Sequence, residues 1–142
     1  MIIDDNLIFS NLEYENSNEV LRFLSDNLEK SGYVKPSFYD GLLEREAAYP
    51  TGLDFGDYSI AMPHTEVEHV LKSTLSIATL KKKVDFKCAE DHSKNTPVEV
   101  VCVIAFGEKE DKIDVLTKLI NFFGNKEEFY KMLNSDKDNL VE

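Results

Sequence analysis

A histidine at position 64 directly follows a short apolar run that ends in proline, Ser59-Ile-Ala-Met-Pro-His64. The run is typical of a buried strand, and Pro63 ends it because proline has no N–H to donate to a sheet. His64 is therefore expected at the end of a strand, where ligands tend to bind in open α/β sheets. Its imidazole could be a nucleophile or general base, a metal ligand, or a side chain without a chemical role.

A second candidate, Arg45, lies on an apolar helical stripe. A proline suited to a first helical turn and a later proline that ends the pattern predict a helix over residues 36–49. At ~100° per residue, Arg45 shares one face of this helix with Phe38, Leu42 and Tyr49. A guanidinium on an apolar face is costly unless it meets an anion. By pattern alone, Arg45 either binds an anion or has a structural role, snorkelling to solvent or pairing with an acid.

The sequence does not favour a metal site. His69 is five positions from His64, which does not put the two rings on one face of a helix, and Glu66 and Glu68 support a metal only weakly. A zinc site can be drawn with three residues whose spacing fits no standard finger pattern, Cys88, His92 and Cys102. Cys102 is instead expected in the core, because it lies within an apolar strand pattern.

Motifs for other chemistries are missing from the sequence. We find no Gly-x-Ser-x-Gly nucleophile elbow, no phosphate-binding loop and no dinucleotide glycine fingerprint. A serine hydrolase, an ATP-dependent kinase and a dehydrogenase are therefore not favoured. We expect neither a metal nor a cofactor.

Composition indicates a soluble globular chain. It has 142 residues, 42% of them hydrophobic and 30% charged, which fits a single domain over residues 1–142 with a real core. A net charge of −11 argues against nucleic acid or an anionic membrane as partner, since both need basic patches. No stretch approaches the length of a membrane span and no signal pattern is seen, so we expect a cytoplasmic protein.

Periodicity predicts alternating helices and strands. Residues 1–9 suggest an edge strand, and a helix is expected from residue 17 until Gly32 stops it. Strands are expected over 72–80 and 84–86, with the lysines at 81–83 as a solvated connection and a polar loop over 88–96. The nearly all-apolar stretch 98–106 predicts a strand covered on both faces.

Asp111 is a suitable cap for a following helix, which Gly124 would stop. Four residues recur on one helical face there, Ile113, Leu116, Ile120 and Phe123. Asn125 would cap a further short helix through residue 133. The expected fold class is therefore α/β, a small mixed β-sheet with helices packed on both faces.

Two motifs carry a family resemblance. The stretch Leu43-Glu-Arg-Glu-Ala-Ala-Tyr-Pro-Thr-Gly52, followed by Ile60-Ala-Met-Pro-His64, resembles enzyme IIA domains of the sugar phosphotransferase system. The match is to the fructose–mannitol family, and the Tyr-Pro-Thr-Gly element is most similar to its galactitol-type branch. The resemblance covers nearly the whole chain.

The resemblance implies a phosphocarrier. Such a domain is a phosphotransferase that takes a phosphoryl group from the phosphocarrier HPr onto a histidine and passes it to a cysteine of its enzyme IIB. The membrane enzyme IIC is only an indirect partner. On the matching motifs, the phosphohistidine carries over to His64, at either ring nitrogen, and the phosphoryl-stabilising arginine to Arg45. A regulatory module of the same fold, acting on another protein, is the alternative.

One family feature is replaced. Many members have a second histidine at the start of the helix after the central strand, where this chain has Lys112. Lys112 could stabilise the transferred group as a point charge, although it cannot reproduce imidazole geometry. The Thr65 hydroxyl and backbone N–H groups after Pro63 could add donors. A neutral imidazole is a good nucleophile near pH 7, since its ordinary pKa is ~6.5.

Overall fold

The computed structural model describes residues 4–108, 110–125, 127 and 131. Five strands and three helices lie within them, together with 3-10 turns at Asp5–Leu7 and Val67–His69. In chain order these elements are β1 (Ile8–Leu12), α1 (Ser17–Lys30), α2 (Phe38–Ala48), β2 (Gly52–Asp54), β3 (Ser59–Ala61), β4 (Thr74–Lys87), β5 (Asn95–Ala105) and α3 (Lys112–Phe123). No helix among the described residues is long and apolar enough to cross a membrane.

The five strands form one mixed sheet in the order β1-β4-β5-β3-β2. The pairs β1–β4 and β3–β5 are parallel, whereas β4–β5 and β2–β3 are antiparallel. Because β3 and β5 run in the same direction, their carboxyl ends meet at one edge of the sheet. That edge carries the residue after Pro63 and the connection from β5 to α3.

Helices cover both faces of the sheet. On one face, α1 and α2 pack with the β5 side chains of Val101, Val103 and Ala105. On the other, α3 packs with the alternate β5 side chains, Val100, Cys102 and Ile104. The predicted doubly covered strand and the α/β class with helices on both faces are therefore confirmed, and Cys102 is a fully buried core residue as expected.

Capping explains where α1 and α3 begin. The Asn16 side chain accepts from the Glu19 N–H at 3.0 Å, and the Asp111 side chain accepts from the Asp114 N–H at 3.1 Å. The predicted cap at Asp111 is confirmed, and α1 begins at Ser17 as expected, with Asn16 as its N-cap. Satisfying otherwise unpaired N–H groups in this way fixes the residue at which each helix starts.

The lysine run is not a connection between two strands. Residues 81–83 lie inside β4, and the two strands predicted around them form one strand of 14 residues. The pairing of β4 with β5 is irregular between Thr79 and Val84, and the lysine side chains there are exposed. The exposed irregularity explains why the sequence has the composition of a loop at a position where the strand continues.

Several predicted apolar faces are only partly buried. Tyr49 follows α2 and is 64% exposed, whereas Phe38 and Leu42 are buried as predicted. On α3, Ile113 is 79% exposed and Ile120 is 40% exposed, and the residues that pack are Val115, Leu116, Leu119 and Phe123. An edge strand is present as predicted, but not over residues 1–9: β1 begins at Ile8, and Asp5–Leu7 form a 3-10 turn before it. Most of the short helix predicted after Asn125 lies outside the described residues.

Candidate functional site

His64 lies at the sheet edge where β3 and β5 end. After β3, the chain stays beside β5: Ile104 N–H donates to the Pro63 carbonyl at 2.9 Å, and His64 bridges to Ile104. The ring of His64 packs edge-on against Phe106, with 5.4 Å between centroids. The placement predicted from the Pro-His motif is therefore right, and strand pairing continues past the proline because its carbonyl still accepts.

One hydrogen bond defines the tautomer of His64. Nδ1 lies 2.9 Å from the Met62 carbonyl oxygen. Since a carbonyl oxygen only accepts, Nδ1 carries the proton and Nε2 keeps its lone pair. Burial lowers the pKa of His64 below its ordinary value, and the positive charges of Arg45 and Lys112 lower it further, against opposing contributions from the Met62 hydrogen bond and Glu66. The imidazole is therefore neutral and nucleophilic at neutral pH.

Arg45, in the last turn of α2, is held from two sides. Its Nη1 donates to Glu66 Oε1 at 2.7 Å, and its guanidinium carbon lies 4.7 Å from the centre of the Tyr49 ring. Its Nε is buried and has no hydrogen-bond partner among the described residues. Both interpretations from the sequence therefore have a basis: Arg45 makes an ion pair, and it also keeps an unused donor suited to an anion.

Lys112 is the first residue of α3 and lies on the opposite side of Glu66. Its Nζ is 3.9 Å from Glu66 Oε2 and 5.7 Å from the centre of the Phe106 ring. The structure thus brings two of the predicted site residues, Arg45 and Lys112, to one carboxylate two positions after His64. The sequence singled out Glu66 only as a weak metal candidate. Its spacing from His64 places it near the histidine but does not indicate its contacts with Arg45 and Lys112.

Thr65 is buried under α2. A methyl group built on Gly41 would lie 2.9 Å from both Thr65 Oγ1 and His69 Cδ2, so the helix needs glycine to approach this closely. Thr65 also lines a surface pocket of about 210 Å³ together with Arg45 and Glu66. His69 is tied to the start of α2, where its Nδ1 lies 2.8 Å from Ser37 Oγ, and this contact gives it a structural role.

A hydrogen-bonded chain that the sequence did not predict runs from α2 to His64. Glu46 accepts from the Thr51 N–H at 2.7 Å and from the Thr51 hydroxyl at 3.0 Å. Thr51 Oγ1 in turn accepts from the Met62 N–H at 3.1 Å. The Met62 carbonyl then orients His64. The signal in the sequence was the presence of Glu46 and Thr51 in the first motif, residues 43–52, which was matched as a pattern without a physical role for either residue.

The side chains of this site place a nucleophilic imidazole beside two cationic groups. A neutral imidazole with Nε2 available lies close enough to one guanidinium and one ammonium for both to lower its pKa. No cluster of three metal-binding side chains occurs in the part of the chain that the structure describes. Fold and site together are those of an α/β domain with a neutral histidine beside two cationic side chains.

The chain belongs to the family described as phosphoenolpyruvate-dependent sugar phosphotransferase system, EIIA 2, whose model matches residues 1–142. The predicted relationship to IIA domains is thereby confirmed, and phosphoryl transfer is the chemistry of this class.

Relatives and solved structures agree with this membership. The chain is 31% identical over 96 residues to the galactitol-specific EIIA component of Escherichia coli, covering 68% of this chain and 62% of that protein. It is 30% identical over 123 residues to the multiphosphoryl transfer protein of Shigella flexneri, covering 84% of this chain and 14% of that protein. It therefore spans less than two thirds of the length of either relative.

A solved complex of mannitol enzyme IIA with phosphorylated enzyme IIB from Escherichia coli is also similar. Its matching chain superposes with a TM-score of 0.79 at 26% identity, over 99% of this chain and 96% of that one. The domain described above is thus similar over nearly its full length to a domain that was solved with a partner.

Proposed function

We propose that this chain is the phosphocarrier of a sugar phosphotransferase system, with His64 Nε2 as the atom that takes the phosphoryl group. Phosphorylated HPr is the donor, and a cysteine of the cognate enzyme IIB is the acceptor. One observation carries the assignment of the atom: Nδ1 donates to the Met62 carbonyl, so Nε2 has the lone pair. Family membership supports the reaction class.

The transfer needs little covalent help from the protein. The Nε2 lone pair attacks phosphorus, the Nε2–P bond forms, and the bond between phosphorus and the HPr atom breaks with its electron pair returning to HPr. In the second step the cysteine thiolate attacks phosphorus, and the pair of the Nε2–P bond returns to His64. What the protein supplies is in-line positioning and neutralisation of the phosphoryl oxygens.

Arg45 and Lys112 supply that neutralisation in this proposal. The unused Nε–H of Arg45 and its Nη groups can make a bidentate, charge-assisted contact to phosphoryl oxygens. Lys112 approaches from α3 as a point charge, at the position that the family resemblance assigns to a second histidine in many members. Thr65, buried against Gly41, contributes to the packing of the segment after His64, and its backbone N–H is a further candidate donor.

The partners follow from the same comparison. The relative solved with phosphorylated enzyme IIB supports a IIB protein as acceptor here. Exposed Tyr49 beside Arg45 and exposed Ile113 beside Lys112 give the site an apolar margin suited to brief docking. The sugar in this proposal is galactitol-like or another hexitol or hexose. It contacts enzyme IIC and not this domain, which we expect to act in the cytoplasm.

Phosphoryl transfer from purified phosphorylated HPr tests the proposal. Intact mass spectrometry is expected to show one added phosphate that is lost in acid and mapped to His64. His64→Ala should accept none, whereas His92→Ala, which removes an exposed histidine, should accept a full equivalent. Full acceptance by folded His64→Ala would overturn the assignment. Acceptance without onward transfer to any sugar-specific IIB would indicate the regulatory alternative.

A further inference from the structure

The carboxylate of Glu66 occupies the space between the two cations of the site. Glu66 Oε1 lies 2.7 Å from Arg45 Nη1, and Oε2 lies 3.9 Å from Lys112 Nζ. These two side chains come from different elements, the last turn of α2 and the first residue of α3. A single carboxylate therefore spans the gap that separates the helices, with one oxygen toward each cation.

We propose that Glu66 is a built-in placeholder for the phosphoryl group, which must displace this carboxylate from Arg45 and Lys112 when it arrives on His64. The proposal rests on the function given above. It adds that the phosphoryl group competes with an anion already present in the protein. Glu66 thereby weakens the hold of the site on the phosphoryl group and keeps that group transferable.

The charges of the site disfavour binding of the phosphoryl group while the Glu66 carboxylate is still in contact with Arg45 and Lys112. Arg45, Lys112 and ionised Glu66 carry a net charge of about +1, with His64 neutral. A phosphoryl group brings close to two negative charges, as phosphorylated side chains do at pH 7. With Glu66 in place the site would become net negative, and without it the charges nearly cancel. Like charges at such short range repel, so the carboxylate is expected to leave as the phosphoryl group binds.

The side chain of Glu66 is free to rotate away at low cost. It is half exposed, and although Glu66 is the N-cap of the 3-10 turn Val67–His69, its carboxylate makes no capping hydrogen bond there. Ion pairs between partly exposed side chains are individually weak. Glu66 is therefore an exchangeable occupant of the site and not a permanent structural pair.

The Glu66 carboxylate satisfies fewer hydrogen-bond donors of Arg45 than a phosphoryl group could. Glu66 reaches only Nη1, and the buried Nε has no hydrogen-bond partner among the described residues. A buried donor without a partner is unfavourable. A phosphoryl group has three oxygens and can satisfy a guanidinium through two of its donors at once. The better fit of the incoming group explains how it can displace a carboxylate that is already bound.

The equilibrium of phosphoryl exchange with HPr is the direct test. The protein is mixed with phosphorylated HPr, and the ratio of phosphorylated to unphosphorylated forms of both proteins is measured at equilibrium. Glu66→Gln, which keeps the shape but removes the charge, is expected to shift this ratio about 3–10-fold toward the phosphorylated chain. The shifted ratio should be accompanied by slower onward transfer to the IIB acceptor.

Glu68→Gln is the matched control. It removes the same charge two residues later, from a side chain that is 74% exposed and whose ion pair is with His69 Nε2 at 3.7 Å. Its equilibrium ratio should stay within about twofold of the wild-type value, the range expected for an exposed charge. Equal shifts in both variants would mean that only net charge matters, and an unchanged ratio in Glu66→Gln would mean that Glu66 does not compete. Either result overturns the proposal.

A second measurement needs no phosphoryl donor. In the unphosphorylated protein, the ionised carboxylate offsets the effect of Arg45 and Lys112 on His64. The pKa of the His64 ring, followed by NMR titration, should therefore fall in Glu66→Gln and change less in Glu68→Gln. A wild-type chain that takes no phosphate from HPr would overturn the proposed function and this inference together. Normal acceptance with no change in ratio or pKa would overturn the inference alone.

Discussion

At the scale of single residues, Arg45 and Arg22 form a natural comparison. Each guanidinium carbon lies 4.7 Å from the centre of a tyrosine ring, Tyr49 and Tyr39 respectively, and each arginine pairs with a carboxylate. They differ in place, because Arg45 lies beside His64 and Arg22 pairs with Asp26 along α1. Comparing variants of Arg45 and Arg22 can therefore separate the stability that an arginine on a tyrosine ring contributes from its effect on phosphoryl transfer.

We expect Arg45→Ala to fold and to transfer phosphate slowly. Loss of a preorganised charge partner typically raises a barrier by about 2–4 kcal/mol, or roughly 30–1,000-fold in rate. Arg22→Ala should have a similar small effect on thermal stability and no effect on transfer. Stopped-flow transfer from phosphorylated HPr and a melting curve for each variant make the comparison. Normal transfer by Arg45→Ala would assign this arginine to a structural role.

Protonation of the Glu46 carboxyl is expected to make the free energy of unfolding depend on pH. Burial raises the pKa of this carboxyl to about 7, although the Thr51 hydrogen bonds oppose the shift. Its unfolded pKa is near 4.3, so between about pH 4.3 and 7 the folded state binds more protons than the unfolded state. Stability from this group is therefore present at low pH and falls as pH rises through that window. Above pH 7 a half-buried negative charge must be maintained in the fold.

The expected difference can be measured against Glu46→Gln, which does not titrate. From pH 5 to pH 8, the unfolding free energy of wild type should fall by about 1–2 kcal/mol relative to the variant, discounted because the side chain is only half-buried. Urea unfolding at several pH values gives this difference. Glu44→Gln, an exposed carboxyl on the same helix, should show no such change. Parallel curves for wild type and Glu46→Gln would contradict the assignment.

At the scale of elements, the beginning of α3 sets the position of Lys112. The Asp111 cap fixes the first turn of this helix, as the Asn16 cap does for α1. Each cap is expected to contribute about 1 kcal/mol of stability. Only α3, however, starts with a residue of the candidate site, so the two caps should differ in their effect on the reaction.

We therefore predict similar stability losses for Asp111→Ala and Asn16→Ala, each about 1 kcal/mol. Only Asp111→Ala should slow phosphoryl transfer, by a few-fold, because Lys112 is less well positioned when the first turn frays. Chemical denaturation measures the first effect and single-turnover transfer the second. Equal transfer rates in the two variants would show that the start of α3 does not matter for the reaction.

Sequence periodicity predicted where the helices and strands lie better than it predicted which of their apolar residues are buried. Helical spacing located α1, α2 and α3 because each buries a stripe against the sheet. It misjudged Tyr49, Ile113 and Ile120, which are exposed, since spacing alone does not show where a neighbouring element ends. The continuity of β4 through residues 81–83 was missed because it depends on pairing with β5, a strand distant in sequence, on both sides of the irregularity between Thr79 and Val84.

The candidate site was predictable to different degrees for different residues. His64 could be placed at a strand end from Pro63 and the apolar run before it. Arg45 was conspicuous because its charge falls on an apolar stripe. The role of Glu66 as a bridge could not be predicted, since it depends on α2 and α3 approaching each other from distant parts of the chain.

At the scale of the whole molecule, Cys102 reports on global unfolding. It lies on the central strand β5, is fully buried, and burial raises the pKa of its thiol to about 12. Cys88 lies at the β4–β5 turn, where backbone and side-chain hydrogen bonds lower its pKa. The two thiols of one chain thus differ strongly in their reactivity toward alkylating agents, because the thiolate is the reactive form.

Alkylation with iodoacetamide should modify Cys88 in the native protein and Cys102 only through unfolding. The urea dependence of Cys102 labelling should match that of global unfolding, since Cys102 is fully buried on the central strand. Peptide mass spectrometry distinguishes the two alkylated cysteines. In Cys88→Ser, the slow alkylation of Cys102 can be followed by itself. Rapid labelling of Cys102 without urea would show that the two faces of the sheet separate locally.

The irregular backbone of β1 affects the tendency of this protein to aggregate at high concentration. Asn11 has φ of 57°, the pairing of β1 with β4 shifts between Phe9 and Leu12, and the Asn11 N–H donates to Thr79 Oγ1 at 2.9 Å. The outer side of β1 is therefore kinked and has fewer regular donors to offer another strand. At the opposite edge, β2 is only three residues long. Neither border of the sheet is a good template for strand addition, so aggregation through edge-to-edge pairing is disfavoured.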